Sequence, residues 1–253
     1  MPPDAGLAGA LIPEGFGGAS VGALMSTRDG GVSRAPFDSL NLGRAGGDER
    51  AAVDENRSRF GAALGGVPVW LSQVHGSRVV RLHASAPLET HAADAAITTA
   101  PAVACTVMVA DCLPVLFAAP GAQGVGAAHA GWRGLAAGVL EATVSALCDA
   151  AACKPGELQA WLGPCIGPRQ FEVGADVLEA FGAGPEFVAW PRPEGVLRWR
   201  ADLPALARRR LVAAGLTQIS GGSWCTVEDA SRFFSFRRDR VTGRMAAAVW
   251  LRR

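Results

Sequence analysis

Three short stretches of the chain carry residues whose types suit metal or nucleophile chemistry. They are Ser72-Gln73-Val74-His75-Gly76, Ala110-Asp111-Cys112-Leu113-Pro114 and Ala128-His129-Ala130-Gly131-Trp132-Arg133-Gly134. Cys112 and His129 each follow an apolar segment and precede a turn. Strand ends of this kind are where α/β folds present reactive groups. His75, Cys112 and His129 together offer two imidazoles and one thiolate. Three such ligands leave a fourth position open, which separates a catalytic zinc site from a closed structural one. Each member also has an ordinary reading, the histidine as a hydrogen-bonded core residue and the cysteine as a small hydrophobe. Cys112 and His129 alone also fit a cysteine hydrolase, as nucleophile and base. The other two histidines, His83 and His91, lack this context and read as surface residues.

The elements that must position these groups follow from the hydrophobic pattern. A helix is predicted over 48–64, carrying Asn56 and Arg57. A short strand over 69–73 delivers His75 to its turn, and another covers 78–82. Val103, Cys105, Val107 and Val109 alternate with smaller residues, a strand signature. Pro114 interrupts it, and 115–118 resumes extended structure. A third strand, 124–128, ends at His129. Leu135, Val139, Leu140, Val144 and Leu147 then fall on one face of a helix that stops at Lys154-Pro155-Gly156. Further strands are predicted over 158–162 and 245–251, and 217–222 leads to Cys225-Thr226. Helices are predicted over 175–181 and 202–214, the second with Leu203, Leu206 and Leu211 inward and Arg208 and Arg209 outward. This order fits a single α+β domain over 21–253, with mixed β-sheets layered against helices, after a poorly ordered segment 1–20.

Two further segments concern anions and bases. Trp132-Arg133-Gly134 opens a helix, where free N–H groups and the guanidinium fork suit a phosphate. Pairing of Arg133 with Asp111 is an equal alternative. In Phe233-Phe234-Ser235-Phe236-Arg237-Arg238 the rings could stack on a base while an arginine meets an anion. The residues alone favour a core strand with solvated arginines at its end. Glu172 reads as a ribose or proton-transfer carboxylate, or as a surface acid at a helix start.

Composition narrows the field. The 253 residues are 49% hydrophobic and 19% charged, with a net charge of +1. That suits a sizeable core and argues against a nucleic-acid or membrane-surface protein. The first twenty residues lack a basic, apolar export signal. Six cysteines without a CxxC pair point to free thiols in a reducing cytoplasm.

Taken in order, these blocks resemble a known family. Gln73-Val74-His75-Gly76, the Asp111-Cys112-Leu113-Pro114 block, His129-Ala130-Gly131-Trp132-Arg133-Gly134, Gly163-Pro164-Cys165-Ile166-Gly167 and Phe233 to Arg238 look like signatures of the laccase-domain proteins. These are also called polyphenol oxidase-like proteins or zinc-dependent purine nucleoside phosphorylases. Ser39-Leu40-Asn41-Leu42-Gly43 and Asn56-Arg57 resemble the family's earlier blocks, so the likeness runs from about residue 25 to residue 251. The resemblance implies zinc held by His75, Cys112 and His129. It implies phosphorolysis of adenosine, inosine, guanosine and methylthioadenosine, with a zinc-assisted adenosine deamination. On that reading the partners are purine nucleosides and phosphate. Arg133 and Glu172 are the candidate catalytic residues, and Asn41, Arg57, Gln73 and Arg237 the candidate substrate contacts. A copper-dependent polyphenol oxidase is the alternative that travels with the family name. Two histidines and a cysteine also suit one copper, but four histidines in the chain cannot house the several coppers that a laccase needs.

Overall fold

A computed structural model describes residues 7–84, 92–193 and 195–252. The chain runs β1 (Val21–Met25), α1 (Arg50–Ala62), β2 (Val67–Trp70), β3 (Val79–Leu82), β4 (Ala95–Thr98), β5 (Val103–Val109), β6 (Leu113–Ala118), β7 (Val125–Ala130), α2 (Trp132–Ala136), α3 (Val139–Ala151), β8 (Gln159–Leu162), β9 (Glu172–Val173), α4 (Ala175–Phe181), β10 (Phe187–Ala189), β11 (Trp199–Ala201), α5 (Leu203–Ala213), β12 (Gln218–Gly221), α6 (Phe236–Asp239) and β13 (Met245–Leu251).

The strands form three sheets: a four-stranded sheet in the order β1-β13-β5-β2, a six-stranded sheet β12-β8-β6-β7-β4-β3, and a small one, β10-β11-β9. The first two mix parallel and antiparallel pairs. The period-2 pattern of β6 shows how the layers pack. Leu113, Val115 and Phe117 join a core shared with Leu140, Val144 and Leu147 of α3 and Leu206 and Leu211 of α5. Leu116 and Ala118 face the other way, into a core with Val107, Val109, Ala247 and Val249 of the four-stranded sheet. Phe60 and Leu64, in and just after α1, cover that sheet's far face beside Ala246, Ala248 and Trp250. Helix, sheet, sheet and helix are therefore stacked in one α+β domain, and the central strands are apolar on both faces.

Several expectations need correction. The helix expected to run on from Leu135 is two helices, because Gly138 takes a left-handed φ of 89° between α2 and α3. Glycine reaches that region without the steric cost of a side chain. Arg208 turns back onto the fold rather than outward, and Arg209 is outward but paired, its side chain 39% exposed. Arg208 donates to the carbonyls of Ile219 and Gly221, and Arg209 pairs with Glu186 and the Phe181 carbonyl. Glu172 lies on a strand rather than a helix start. Among residues 7–20, expected to be poorly ordered, Leu11 exchanges backbone hydrogen bonds with Met25 and Phe16 is buried. His83 is exposed, whereas His91 lies outside the described residues.

Candidate metal centre and its cleft

Asp94 organises the centre. It sits just before β4, fully buried, and its backbone carbonyl accepts the His129 N–H from β7 at 2.7 Å. Its carboxylate accepts three successive backbone N–H groups, from Val74, His75 and Gly76, at 3.1, 2.9 and 2.8 Å. This clasp holds His75 at a left-handed φ of 60°, a conformation that costs a β-substituted residue energy and persists only where its surroundings enforce it. The same carboxylate meets Nδ1 of His129 at 2.8 Å. One acid thus fixes both imidazoles, and it leaves Nε2 of His129 free to ligate.

Cys112 stands immediately before β6 and directly after Asp111, another non-glycine residue at positive φ, 94°. Asp111 is held in place by Thr226 Oγ1 and the Arg237 backbone N–H, each at 2.6 Å on its carboxylate, and by the Ile166 N–H on its carbonyl. Cys112 Sγ then lies 3.9 Å from Nε2 of His75. The ligand atoms of His75, Cys112 and His129 all fall within 4.8 Å of one another. Gly131 closes the cradle: a Cβ there would come within 2.9 Å of Cys112 Sγ and 3.0 Å of the His75 ring.

The electrostatics suit a thiolate. Burial would raise the Cys112 thiol, but the charge and hydrogen bonds of His129 and His75 outweigh it and bring it down to about 6. Burial would lower His129, but the Cys112 and Asp94 anions raise it to about 9. Asp94 shows the same competition: burial opposes its charge, and the donors from His129, Gly76 and Val74 prevail, so its pKa is lowered.

The cluster opens into a cleft of about 300 Å³. Trp132, Ile166, Phe171 and Phe236 give it an apolar wall, and Arg133, Arg237 and Arg240 also line it. Arg133 is exposed, lies over Trp132 at 4.4 Å, and bonds to no described acid, so the expected alternative pairing with Asp111 is not made. Arg237 uses Nη1 on the carbonyls of Gln170 and Glu172. Of the three clustered rings, only Phe236 reaches the cleft. Phe233 and Phe234 are wholly buried in the core between the sheets.

The remaining candidates sit outside this cleft's lining. Asn41 is buried and turned to backbone work: it bonds to Gly43, Asp48 and the Arg244 N–H. Gln73 spans the backbone of Met108 with both its amide atoms. Arg57 donates to the Leu42 carbonyl and stacks over Trp70 at 4.1 Å, and burial, with Arg44 nearby, brings its pKa down to about 10. The Glu172 carboxylate is paired with Arg192. Sequence reasoning passed over Asp94 and Arg240. For Asp94 a signal existed, an acid set directly against the apolar run Ala95-Ala96-Ile97, where a charge is rarely placed without partners.

Relatives share this chain over almost its whole length. A protein from Pseudomonas aeruginosa named purine nucleoside phosphorylase is 51% identical over 247 residues, covering 95% of this chain and 98% of its own. The purine nucleoside phosphorylase YfiH of Escherichia coli is 49% identical over 243 residues, with the same coverages. Among solved structures, a Neisseria meningitidis protein superposes with a TM-score of 0.89 at 43% identity, covering 96% of this chain and 99% of that one. YlmD from Geobacillus stearothermophilus gives 0.84 at 30% identity, covering 100% and 94%. With residues 22–252 matched throughout, the chain belongs to the family described as multi-copper polyphenol oxidoreductase laccase.

Proposed function

We propose that the protein is a purine nucleoside phosphorylase with a zinc ion held by His75, Cys112 and His129. The observation that carries this is the three-ligand cluster opening on a cleft that pairs an apolar wall with a free cation. The names of the relatives support it. The donor set fits the metal. Nitrogen and thiolate donors suit zinc, the two histidines are braced by one buried acid, and the Gly131 cradle leaves no room for a Cβ. When bound, zinc would supply Lewis-acid chemistry toward substrate oxygen or water. One cluster of three ligands suits a single metal rather than the several coppers of an oxidase.

In phosphorolysis a phosphate oxygen bonds to C1′ of the sugar while the glycosidic C–N bond breaks. The electron pair leaves with the purine, which takes up a proton. The protein's part is mostly placement. The wall of Trp132, Ile166, Phe171 and Phe236 offers the base an apolar and aromatic face. Arg133, unspent on any described acid and backed by Trp132, meets the phosphate. Arg237 shapes the wall, since its backbone N–H and guanidinium tie α6 to Asp111 and to the Glu172 segment. Substrates are adenosine, inosine, guanosine and methylthioadenosine, and adenosine is also deaminated at the same centre. The setting is a reducing cytoplasm. No helix among the described residues is long and apolar enough to cross a membrane.

A thiol hydrolase is the second reading, because Asp94, His129 and Cys112 stand in the order of an acid, base and nucleophile. The second imidazole, His75, so close to the thiol is more than a triad needs and favours the metal. The deciding assay is chromatographic. Adenosine is incubated with and without phosphate, and adenine, ribose 1-phosphate and inosine are measured. Adenine should require phosphate, and inosine should form without it. Adenine release indifferent to phosphate would exclude the phosphorylase.

A further inference from the structure

Arg240 was not among the arginines that sequence reasoning selected, yet it lines the metal cleft with His75, Cys112 and Arg133. It follows α6 in an unusual backbone state, φ 62° and ψ −60°. The Val241 N–H donates to the Asp239 carbonyl at 2.7 Å across it. Those angles and that bond make a γ-turn of the rare, strained hand. Glycine would take this position at lower cost, so a long cation here needs a reason.

Its side chain has none among the described residues. The guanidinium is exposed and makes no hydrogen bond or ion pair with a described residue, and its one contact of note is with the Phe236 ring, 5.9 Å from the centroid. Arg133 is in the same condition, resting on Trp132. Both rings belong to the cleft wall. Among the described residues the only carboxylate lining the cleft is that of Asp111, and its two oxygens are taken by Thr226 and the Arg237 N–H. Among the described residues the cleft therefore holds two aromatic-backed cations with no free carboxylate to answer them, its thiolate, Cys112, being held by the two imidazoles. By contrast, Arg237 and Arg57 have guanidinium groups bonded to carbonyls.

We propose that Arg240 and Arg133 form the two jaws of the phosphate site, and that Arg240 sets the affinity for inorganic phosphate. This rests on the phosphorylase reading for its role in turnover, though not for the binding itself. Paired guanidiniums suit a dianion, since each offers parallel N–H donors to two oxygens. Placing phosphate between them leaves the apolar wall for the base.

The test uses the full chain as purified, with its metal. Arg240→Gln removes the charge, Arg240→Lys keeps it without the fork, and Arg240→Gly also relieves the turn. Inorganic phosphate binding is measured by calorimetry, and KM values are measured for phosphate and adenosine separately. Losing one charge-assisted contact should raise the dissociation constant and the phosphate KM about tenfold in Arg240→Gln and Arg240→Gly. Adenosine KM should stay within about twofold, and Arg240→Lys should fall between parent and glutamine. Unchanged phosphate binding in Arg240→Gln would overturn the proposal. So would an equal rise in adenosine KM, or a parent that binds adenosine 5′-monophosphate in an Arg240-dependent way but not inorganic phosphate. Calorimetry still decides the point if the parent proves inactive on nucleosides, which would refute the phosphorylase reading alone.

Discussion

Asp94 and His129 face each other across β4 and β7, joined twice: by a backbone hydrogen bond of 2.7 Å and by a carboxylate–imidazole bond of 2.8 Å. The second bond selects which ring nitrogen points at Cys112. The same carboxylate grips the backbone of the His75 turn. Asp94→Asn keeps the size of the side chain but halves its acceptor capacity and removes its charge. Metal affinity should fall roughly 10- to 100-fold, and excess zinc should restore part of the turnover. Competition with a fluorescent chelator reads the affinity directly. An Asp94→Asn protein that holds zinc as tightly as the parent would show that the clasp does not tune the centre.

Cys112 can be separated from the chain's other thiols. Cys112→Ala removes the only sulfur in the ligand cluster, so bound metal and turnover should both collapse. Cys148 and Cys153 sit at and just beyond the end of α3, far along the chain from the cluster and packed in or against the helical core. Cys148→Ala and Cys153→Ala should keep about one zinc per chain and lose stability only modestly, about 1–2 kcal/mol for Cys148. Metal analysis of the three variants, purified without added zinc, checks the assignment.

The metal-free protein should also show a selective thiol. Cys112 is brought down to about 6, whereas burial raises the thiols of Cys105 and Cys165 well above their usual range. The thiolate is the reactive form. Alkylation of Cys112 by iodoacetamide should therefore climb as pH rises through about 6 and level off by about 7.5. Cys105 and Cys165 should stay unmodified over the same range in the folded chain. Added zinc should protect Cys112. Peptide mapping by mass spectrometry gives the answer, and a Cys112 that begins to react only near pH 9 would mean that the two imidazoles do not stabilise its anion.

The ligands were legible in the sequence because each is delivered by a local pattern. Alternating strands with a turn residue after them place Cys112 and His129, and the left-handed turn before Gly76 places His75. Asp94 was harder to see. Its partners lie 18 to 35 residues away along the chain; the pairing of β4 with β7 brings His129 to it, and the Ser72–Ala92 bridge brings the His75 turn. Arginine roles were illegible for a related reason. Arg57, Arg133, Arg237 and Arg240 have the same side chain, and their difference lies in which carbonyls or rings the fold sets nearby. The layered sheets followed from hydrophobic alternation, while the break at Gly138 turned on a single left-handed residue inside an otherwise helical pattern.

Phe233 and Phe236 stand three residues apart and should fail differently when cut back. Phe233 is fully buried with Phe234 in the core between the sheets, whereas Phe236 is 47% exposed at the cleft. Ser235 divides them: its side chain accepts the Arg238 N–H and starts α6, turning the chain out of the core. Phe233→Ala leaves a ring-sized void that close-packed strands cannot refill, so it should cost about 3–5 kcal/mol of stability. Phe236→Ala exposes little new surface and should leave the melting temperature within about 2–3 °C of the parent, since surface changes stay near 0.5 kcal/mol. Its loss should instead weaken nucleoside binding. An aromatic stacking contact with a base is worth about 1–3 kcal/mol, so adenosine KM should rise at least fivefold with phosphate KM nearly constant. Thermal melts and the two KM values, measured side by side, separate the residues. If Phe236→Ala leaves adenosine KM unmoved, the base does not lie against that wall, and the apolar face of the cleft must be assigned to Trp132 and Phe171 alone.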